Sequence, residues 1–292
     1  LMAIFRRGSR IRSSPIPMPK LIYIAARPSL QIVHNCEAFA AQDVEVELWT
    51  STDAFPDDYG AQENFLVRPL YGVMFTLSAL LAALPKRGYI YYTRSAILAL
   101  ILTFYKPKRS VVYEVHRLRA RIRWLQRLAV RRAGTVVAVT PALRDELARI
   151  GAKRSIVAHN AVRRARFEHI PSRIEARRAL GWREEAFIVG CMGAEGVNSL
   201  MAALGLVWTQ SGGFQAALAL IGVEDTETLR GEWRKLGLST DAFLNAGVVT
   251  PQDVPLYLSA CDVCVLPLPR TEHNTFYASP LRLFEYMAAR RA

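Results

Sequence analysis

The stretch VVAVTPALRDELARIG, Val136–Gly151, decides the fold. Val136–Val139 reads as a buried strand. Thr140 follows as a helix cap, Pro141 takes the first helical position and Gly151 marks the stop. Pro lacks an N–H that a first turn leaves unused, and Gly tolerates the backbone that ends a helix. A strand feeding directly into a capped helix is half of a βαβ unit, and the same alternation extends in both directions.

Upstream, Leu21–Ala25 reads as a strand, Val33–Ala41 as a helix and Val44–Trp49 as a strand. Two apolar helical runs then flank the strand Tyr89–Tyr92. Val111–Val115 is a strand, Arg119–Ala133 a basic helix, and Ile156–Ala158 a strand beyond the opening stretch. The pattern restarts after Phe167. Helices are expected at Arg173–Leu180 (stopped by Gly181), Leu200–Trp208, Thr226–Leu236 and Val254–Ala260. Strands are expected at Phe187–Cys191, Ala217–Ile221, Phe243–Ala246 and Val263–Pro267. Strands interleaved with helices predict parallel, doubly wound sheets. The Pro-containing connection EHIPS, 168–172, divides the chain into residues 18–168 and 169–292. Residues 1–17 are basic and Ser/Pro-rich, lack the apolar centre of a secretory signal, and read as a disordered leader.

With 292 residues, 51% of them hydrophobic, the chain has apolar material for two cores. Its net charge of +13 and pI near 10.0 favour anionic partners. The run LYGVMFTLSALLAAL, Leu70–Leu84, is shorter than the roughly 20 residues a bilayer requires, and SAILALILTFY, Ser95–Tyr105, is shorter still. Both read as buried helices. Cys36, Cys191, Cys261 and Cys264 are scattered, with no second Cys or His pair at zinc spacing, so no metal site is expected and a reducing cytoplasm is. The acidic PDDY, Pro56–Tyr59, reads as a loop. No Gly-x-Gly-x-x-Gly follows LIYIA or FIVGC, which disfavours a dinucleotide oxidoreductase. No nucleic-acid recognition motif is present.

YASPLRLFEYMA, Tyr277–Ala288, poses the functional question. Ser279 suits an N-cap and Pro280 a first helical turn. The free N–H groups of Ser279, Leu281 and Arg282 would point outward, where the helix dipole adds positive potential. Arg282 is unfavourable there unless an anion neutralises it. Glu285, one turn on, suits two adjacent hydroxyls. Two readings stand: an anion site, or an exposed Arg282–Glu285 pair worth a few tenths of a kcal/mol.

SPLRLFEYMA resembles the terminal signature of retaining family 4 glycosyltransferases. KLIYIA, NCEAFA, VEVELW, VYEVH, VVAVTPALRDEL, IVAHN and AGVVTPQDVPLYLSACDVCVLP are similar to other segments of that family, in order, so the likeness spans roughly 18–292. The resemblance implies a GT-B fold: two Rossmann-like doubly wound domains facing a cleft, an acceptor-side domain over 18–168 and a nucleotide-sugar domain, incomplete, over 169–292. It implies a cytoplasmic hexosyltransferase-like enzyme with no cofactor or metal, acting in cell-envelope glycan or glycolipid synthesis. The donor would be a nucleotide-diphosphate sugar and the acceptor a saccharide or lipid-linked molecule.

The same resemblance assigns residues. Glu285 matches the acid on the donor ribose, and Ser279, Pro280 and Leu281 match the turn whose amides meet the diphosphate, beside Arg282. His116 matches a cleft histidine, with Glu114 two residues earlier, and Asn160 matches the Asn of an Asn-Gly-Val turn. His273 and Asn274 lie on the loop before the binding helix. On residues alone, His116 at a strand's carboxyl end suits a crevice or a structural hydrogen bond, Asn160 a turn, and His273 an exposed loop. The basic stretch Arg117–Arg132 suits either a solvated face or an anionic membrane surface.

Departures from the family pattern are concentrated. Tyr277 stands where many members carry Glu. Asn160-Ala161-Val162-Arg163 replaces Asn-Gly-Val-Asp. CMGAEGVNSL, 191–200, is short and carries no Arg or Lys, and the loop near Pro28 is also short. Loops omitted around Pro28 and Ala194, together with a tail beyond AARRA, are the expected explanation. The alternative is a catalytically degenerate nucleotide- or membrane-binding protein on the same scaffold.

Overall fold

The computed structural model describes residues 3–7, 19–26, 29–51, 68–211, 216–224 and 227–292. It divides into two compact units, Leu1–Asn160 with Thr275–Ser279, and Ala161–Asn274 with Pro280–Ala292. The first unit thus closes before the connection at 168–172 and takes back a short segment from near the end of the sequence.

The first unit carries β1 (Ala3–Arg7), β2 (Lys20–Ile24), α1 (Leu30–Ala40), β3 (Glu45–Thr50), α2 (Arg68–Ala83), β4 (Tyr89–Thr93) and α3 (Ala96–Tyr105). It continues with β5 (Val111–Val115), α4 (Arg123–Arg132), β6 (Thr135–Ala138), α5 (Pro141–Arg149) and β7 (Ser155–Val157). The sheet order is β1-β3-β2-β4-β5-β6-β7. Strands β2 to β7 pair in parallel, and β1 pairs antiparallel to β3, Ala3 opposite Thr50. Ala3–Arg7 is therefore a strand within the stretch expected to be a disordered leader. The rest of that stretch, Pro28 and the PDDY loop lie outside the described residues.

Two apolar layers cover this sheet. Helices α2 to α5 pack Phe75, Ala79, Leu98, Leu102, Ala129 and Leu143 against one face. Helix α1 packs Ile32 and Cys36 against the other, beneath Leu21, Tyr23 and Leu48. Caps start the helices as the sequence dictates: the Thr140 hydroxyl accepts the Leu143 amide at 3.1 Å and the Ser95 hydroxyl the Leu98 amide at 3.3 Å. The expected basic helix begins later, because a 3-10 turn at Ala120–Ile122 precedes α4. The apolar run of α2 is buried on one side only, since Leu77 and Leu81 face outward.

The second unit holds α6 (Arg173–Leu180), β8 (Phe187–Met192), α7 (Val197–Gln210), β9 (Ala216–Ile221), α8 (Glu227–Lys235), β10 (Phe243–Asn245), α9 (Val254–Ala260), β11 (Val263–Cys264) and α10 (Leu281–Ala288). All strand pairs are parallel, in the order β10-β9-β8-β11. The strand expected over Val263–Pro267 keeps two residues of ladder. Gly190 leaves room for the side chain that ends α9 against β8: a Cβ there would sit 2.6 Å from the Cys261 sulfur. Ser172 and Glu175 form a capping box on α6, and Gly181 ends that helix at φ 66°.

A buried ion pair ties α6 to this sheet. Arg177, 1% exposed, donates to the Ala260 carbonyl at 2.9 Å and to Asp262 at 2.6 Å, and Asp262 also accepts the Ile188 amide at 2.7 Å. Removing one partner leaves the other charge desolvated and unpaired. Asp262→Ala is therefore expected to lower stability in urea denaturation by about 3–5 kcal/mol. A loss close to zero would mean that the pair does not anchor the helix.

Candidate functional site

In an open parallel sheet, ligands bind outside the carboxyl ends of the strands where the order reverses. In the second unit the reversal lies between β8 and β11. Gly193 follows β8 there with φ 76°, and a Cβ on it would lie 2.8 Å from the Arg282 guanidinium carbon. The guanidinium thus lies across bare backbone at this edge. The first-turn amides of Leu281 and Arg282 have no intrahelical partner, while the Leu283 amide bonds the Pro280 carbonyl at 3.1 Å. One helix start therefore combines two donors without a partner among the described residues, a dipole and a cation, a set that suits an anion.

Ser279 is not the cap of that helix. Pro280 occupies the N-cap position without a side-chain bond. The Ser279 hydroxyl instead accepts the Asn160 amide at 2.9 Å, and its carbonyl accepts from the Asn160 side chain at 2.6 Å. Asn160 and Ser279 are thus brought together within the first unit. The preceding residues are held there too: the Thr140 hydroxyl donates to the Phe276 carbonyl at 2.6 Å, and Tyr277 packs on the apolar core with its hydroxyl 3.4 Å from Glu146. Tyr277, where the family pattern has an acid, serves as an anchor. The loop expected before α10 is a π-helical turn over His273–Tyr277.

Glu285 is 6% exposed, which excludes an exposed pair with Arg282. Its Oε1 lies 3.4 Å from Arg166, and Oε2 carries no hydrogen bond among the described residues. Burial raises its pKa above the ordinary 4.5, against the opposing pull of Arg166 and Arg282. Asn274 is tied to the loop after β8, its side chain 3.4 Å from Glu195 and 2.9 Å from the Pro269 carbonyl. His273 is exposed on the same turn.

In the first unit the sheet reverses between β2 and β4, and a cluster of polar side chains stands at those carboxyl ends. Glu114 is 5% exposed. It accepts from the Tyr23 hydroxyl at 2.9 Å, lies 2.7 Å from His116 Nε2, and lies 2.9 Å from Arg94 Nη2. The last contact is an ion pair without hydrogen-bond alignment, and the buried Arg94 Nε has no hydrogen-bond partner among the described residues. Burial alone would push the Glu114 carboxyl up. The His116 hydrogen bond and the Arg94 charge outweigh it and hold the pKa down to about 2. His116, half-buried, lines a cavity of about 390 Å³ together with Arg94, Ser95, Arg117, Arg119 and Gln126.

Arg94 and Arg166 escape a motif-based reading of the sequence. Arg94 had a usable signal, because it follows a parallel strand's carboxyl end just as His116 does. Arg166 had none: it sits in a 3-10 turn of a basic segment, and only the fold brings it to Glu285.

Comparison with known proteins identifies the fold. Sucrose-phosphate synthase from Thermosynechococcus elongatus is similar with a TM-score of 0.62 at 17% identity, over 86% of this chain and 77% of its own. HepE of Anabaena in complex with UDP-glucose gives 0.58 at 17% identity, over 92% and 78%. The catalytic domain of starch synthase IV from Arabidopsis thaliana, bound to ADP and acarbose, gives 0.60 at 10%, over 85% and 78%. No family model and no curated protein sequence matches the chain. The α/β architecture is the GT-B fold of these glycosyltransferases.

Proposed function

We propose that the protein is a retaining glycosyltransferase that moves a sugar from a nucleotide-diphosphate sugar to a saccharide or lipid-linked acceptor, without a metal, in cell-envelope glycan or glycolipid synthesis. The observation that carries the reading is the Arg282 guanidinium lying across Gly193 beside the open first turn of α10. UDP, UDP-glucose and ADP in the HepE and starch synthase structures support a nucleotide-diphosphate donor.

In this reading the amides of Leu281 and Arg282 hold the diphosphate and the Arg282 side chain meets the charge that grows as the bond to the sugar breaks. Glu285 Oε2 accepts the ribose hydroxyls while Arg166 fixes the carboxylate through Oε1. Asn274 and His273 flank the donor from the turn before α10. Pro280 sets where the helix starts, and Asn160 positions Ser279. His116 serves the acceptor side, and Glu114 orients its ring. A second reading, a nucleotide-binding protein that does not turn over, is favoured by the cation-free loop Gly193–Gly196, which carries Glu195 instead.

A thermal-shift screen with UDP, ADP and GDP tests the donor site; one of them at ten times its dissociation constant is expected to add about 1.4 kcal/mol. Hydrogen bonds to a charged group contribute about 1.5–3 kcal/mol. Glu285→Gln, which keeps an acceptor toward Arg166 but loses the charge, is therefore expected to weaken that nucleotide roughly 10- to 150-fold in protein that still unfolds cooperatively in urea. Unchanged affinity would remove Glu285 from the site. Binding without hydrolysis of the matching nucleotide sugar would select the second reading.

Glu114 carries a pH signature. Its folded pKa lies below the ordinary 4.5, so its stabilisation is present above that value and is lost as pH falls from there toward about 2. Wild-type protein is expected to lose stability across that window, and Glu114→Gln to flatten this acid limb. An identical limb in the variant would show that another group sets it.

A further inference from the structure

We propose that the outer face of the α2–α3–α4 layer seats the protein on an anionic lipid bilayer. The inference extends the reading of a lipid-linked acceptor, but it stands on surface chemistry and needs no turnover.

The three helices lie side by side. The Tyr105 hydroxyl donates to the Leu80 carbonyl at 3.1 Å, joining α3 to α2, and Arg132 Nε donates to the Thr103 hydroxyl at 3.0 Å, joining α4 to α3. Each helix turns large apolar side chains outward. On α2, Leu77 is 56% and Leu81 66% exposed, continuing to Leu84 just beyond its end. On α3, Ile97 and Phe104 are exposed, and on α4 so are Trp124 and Leu128. Helical spacing of four places the pairs Leu77/Leu81 and Trp124/Leu128 on single stripes. A soluble surface leaves such side chains scattered; a stripe repeated on three adjacent helices marks an interaction surface.

Charge identifies what that surface meets. Between Arg68 and Gly134 the sequence has fourteen lysines and arginines and one carboxylate, Glu114, which is buried. No acid therefore faces out from α2, α3 or α4. Arg132 lies over the Phe104 ring at 4.0 Å, and exposed Arg121 and Arg127 bracket Trp124. The acidic residues Asp145 and Glu146 appear only on α5, at the border of the face. Apolar stripes flanked by arginines, with an aromatic residue between them, suit the boundary of headgroups and acyl chains. A soluble protein partner would be expected to meet both signs of charge. No helix among the described residues is long and apolar enough to cross a membrane, so the contact is one of lying on the surface.

Co-sedimentation with phosphatidylcholine vesicles, with and without phosphatidylglycerol, tests this. The wild type is expected to pellet with the phosphatidylglycerol vesicles and far less with phosphatidylcholine alone, and to be released by high salt. Each basic residue near an anionic surface strengthens binding about fivefold, so Arg121→Glu/Arg127→Glu should weaken partition about 25-fold or more. Leu77→Glu/Leu81→Glu, at exposed positions that leave the core intact, should weaken it at least about tenfold. Val248→Glu, exposed in the second unit, should change it less than about twofold. Failure of the wild type to pellet would overturn the proposal. So would equal losses in Val248→Glu, or a dimer broken by Leu77→Glu/Leu81→Glu with vesicle binding unchanged, which would assign the face to a second copy. Nucleotide affinity, measured separately, does not depend on any of these outcomes.

Discussion

The first unit is organised around a carboxylate that has nowhere to go. Burying an ionised group costs several kcal/mol unless its partners compensate. Glu114 is compensated by residues from three separate places: Tyr23 on β2, Arg94 after β4, and His116 after its own strand. Those contacts require β2, β4 and β5 to be neighbours in that order, which is the order at which the sheet reverses. Placing the acid there also fixes the imidazole and pairs the carboxylate with the Arg94 charge in the lining of the cavity. The same placement has a surface effect, because the stretch's one negative charge is hidden and its helices present only cations.

The second unit solves a comparable problem with backbone. Its reversal point lies between β8 and β11, and the packing of side chains there depends on glycine. Gly190 leaves room for the thiols of Cys261 and Cys264, and Gly193 leaves room for the Arg282 guanidinium. The loop after β8, Gly193–Gly196, carries no cation. Arg282 reaches the same edge from α10. The positive charge is supplied from the helix across a glycine, so its position follows from how α10 packs through Tyr286, whose hydroxyl accepts the Met192 amide at 2.8 Å.

Much of this architecture was legible in the sequence, for identifiable reasons. Parallel strands buried on both faces read as short apolar runs, and Val111–Val115, Arg173–Leu180 and Val254–Ala260 fall where the pattern and caps place them. The helix start at α10 was legible in kind but shifted by one residue, because Ser279 is claimed by a tertiary hydrogen bond from Asn160 that no local rule contains. The Glu285–Arg166 pair was invisible for the same reason: it joins residues far apart in sequence through burial alone. The antiparallel β1 was missed because its composition, Ala-Ile-Phe-Arg-Arg within a Ser/Pro-rich segment, carries no period.

The segment Thr275–Ser279 belongs to the first unit, although the helix that follows it belongs to the second. The first unit is therefore assembled from two pieces of chain separated by more than a hundred residues of the other. During synthesis its sheet can form early, but Thr140, Glu146 and Asn160 await partners made more than a hundred residues later. Completion of the first unit thus waits until residues 161–274 of the second have been made, and a fragment cut at Asn160 would lack a piece of its own wall.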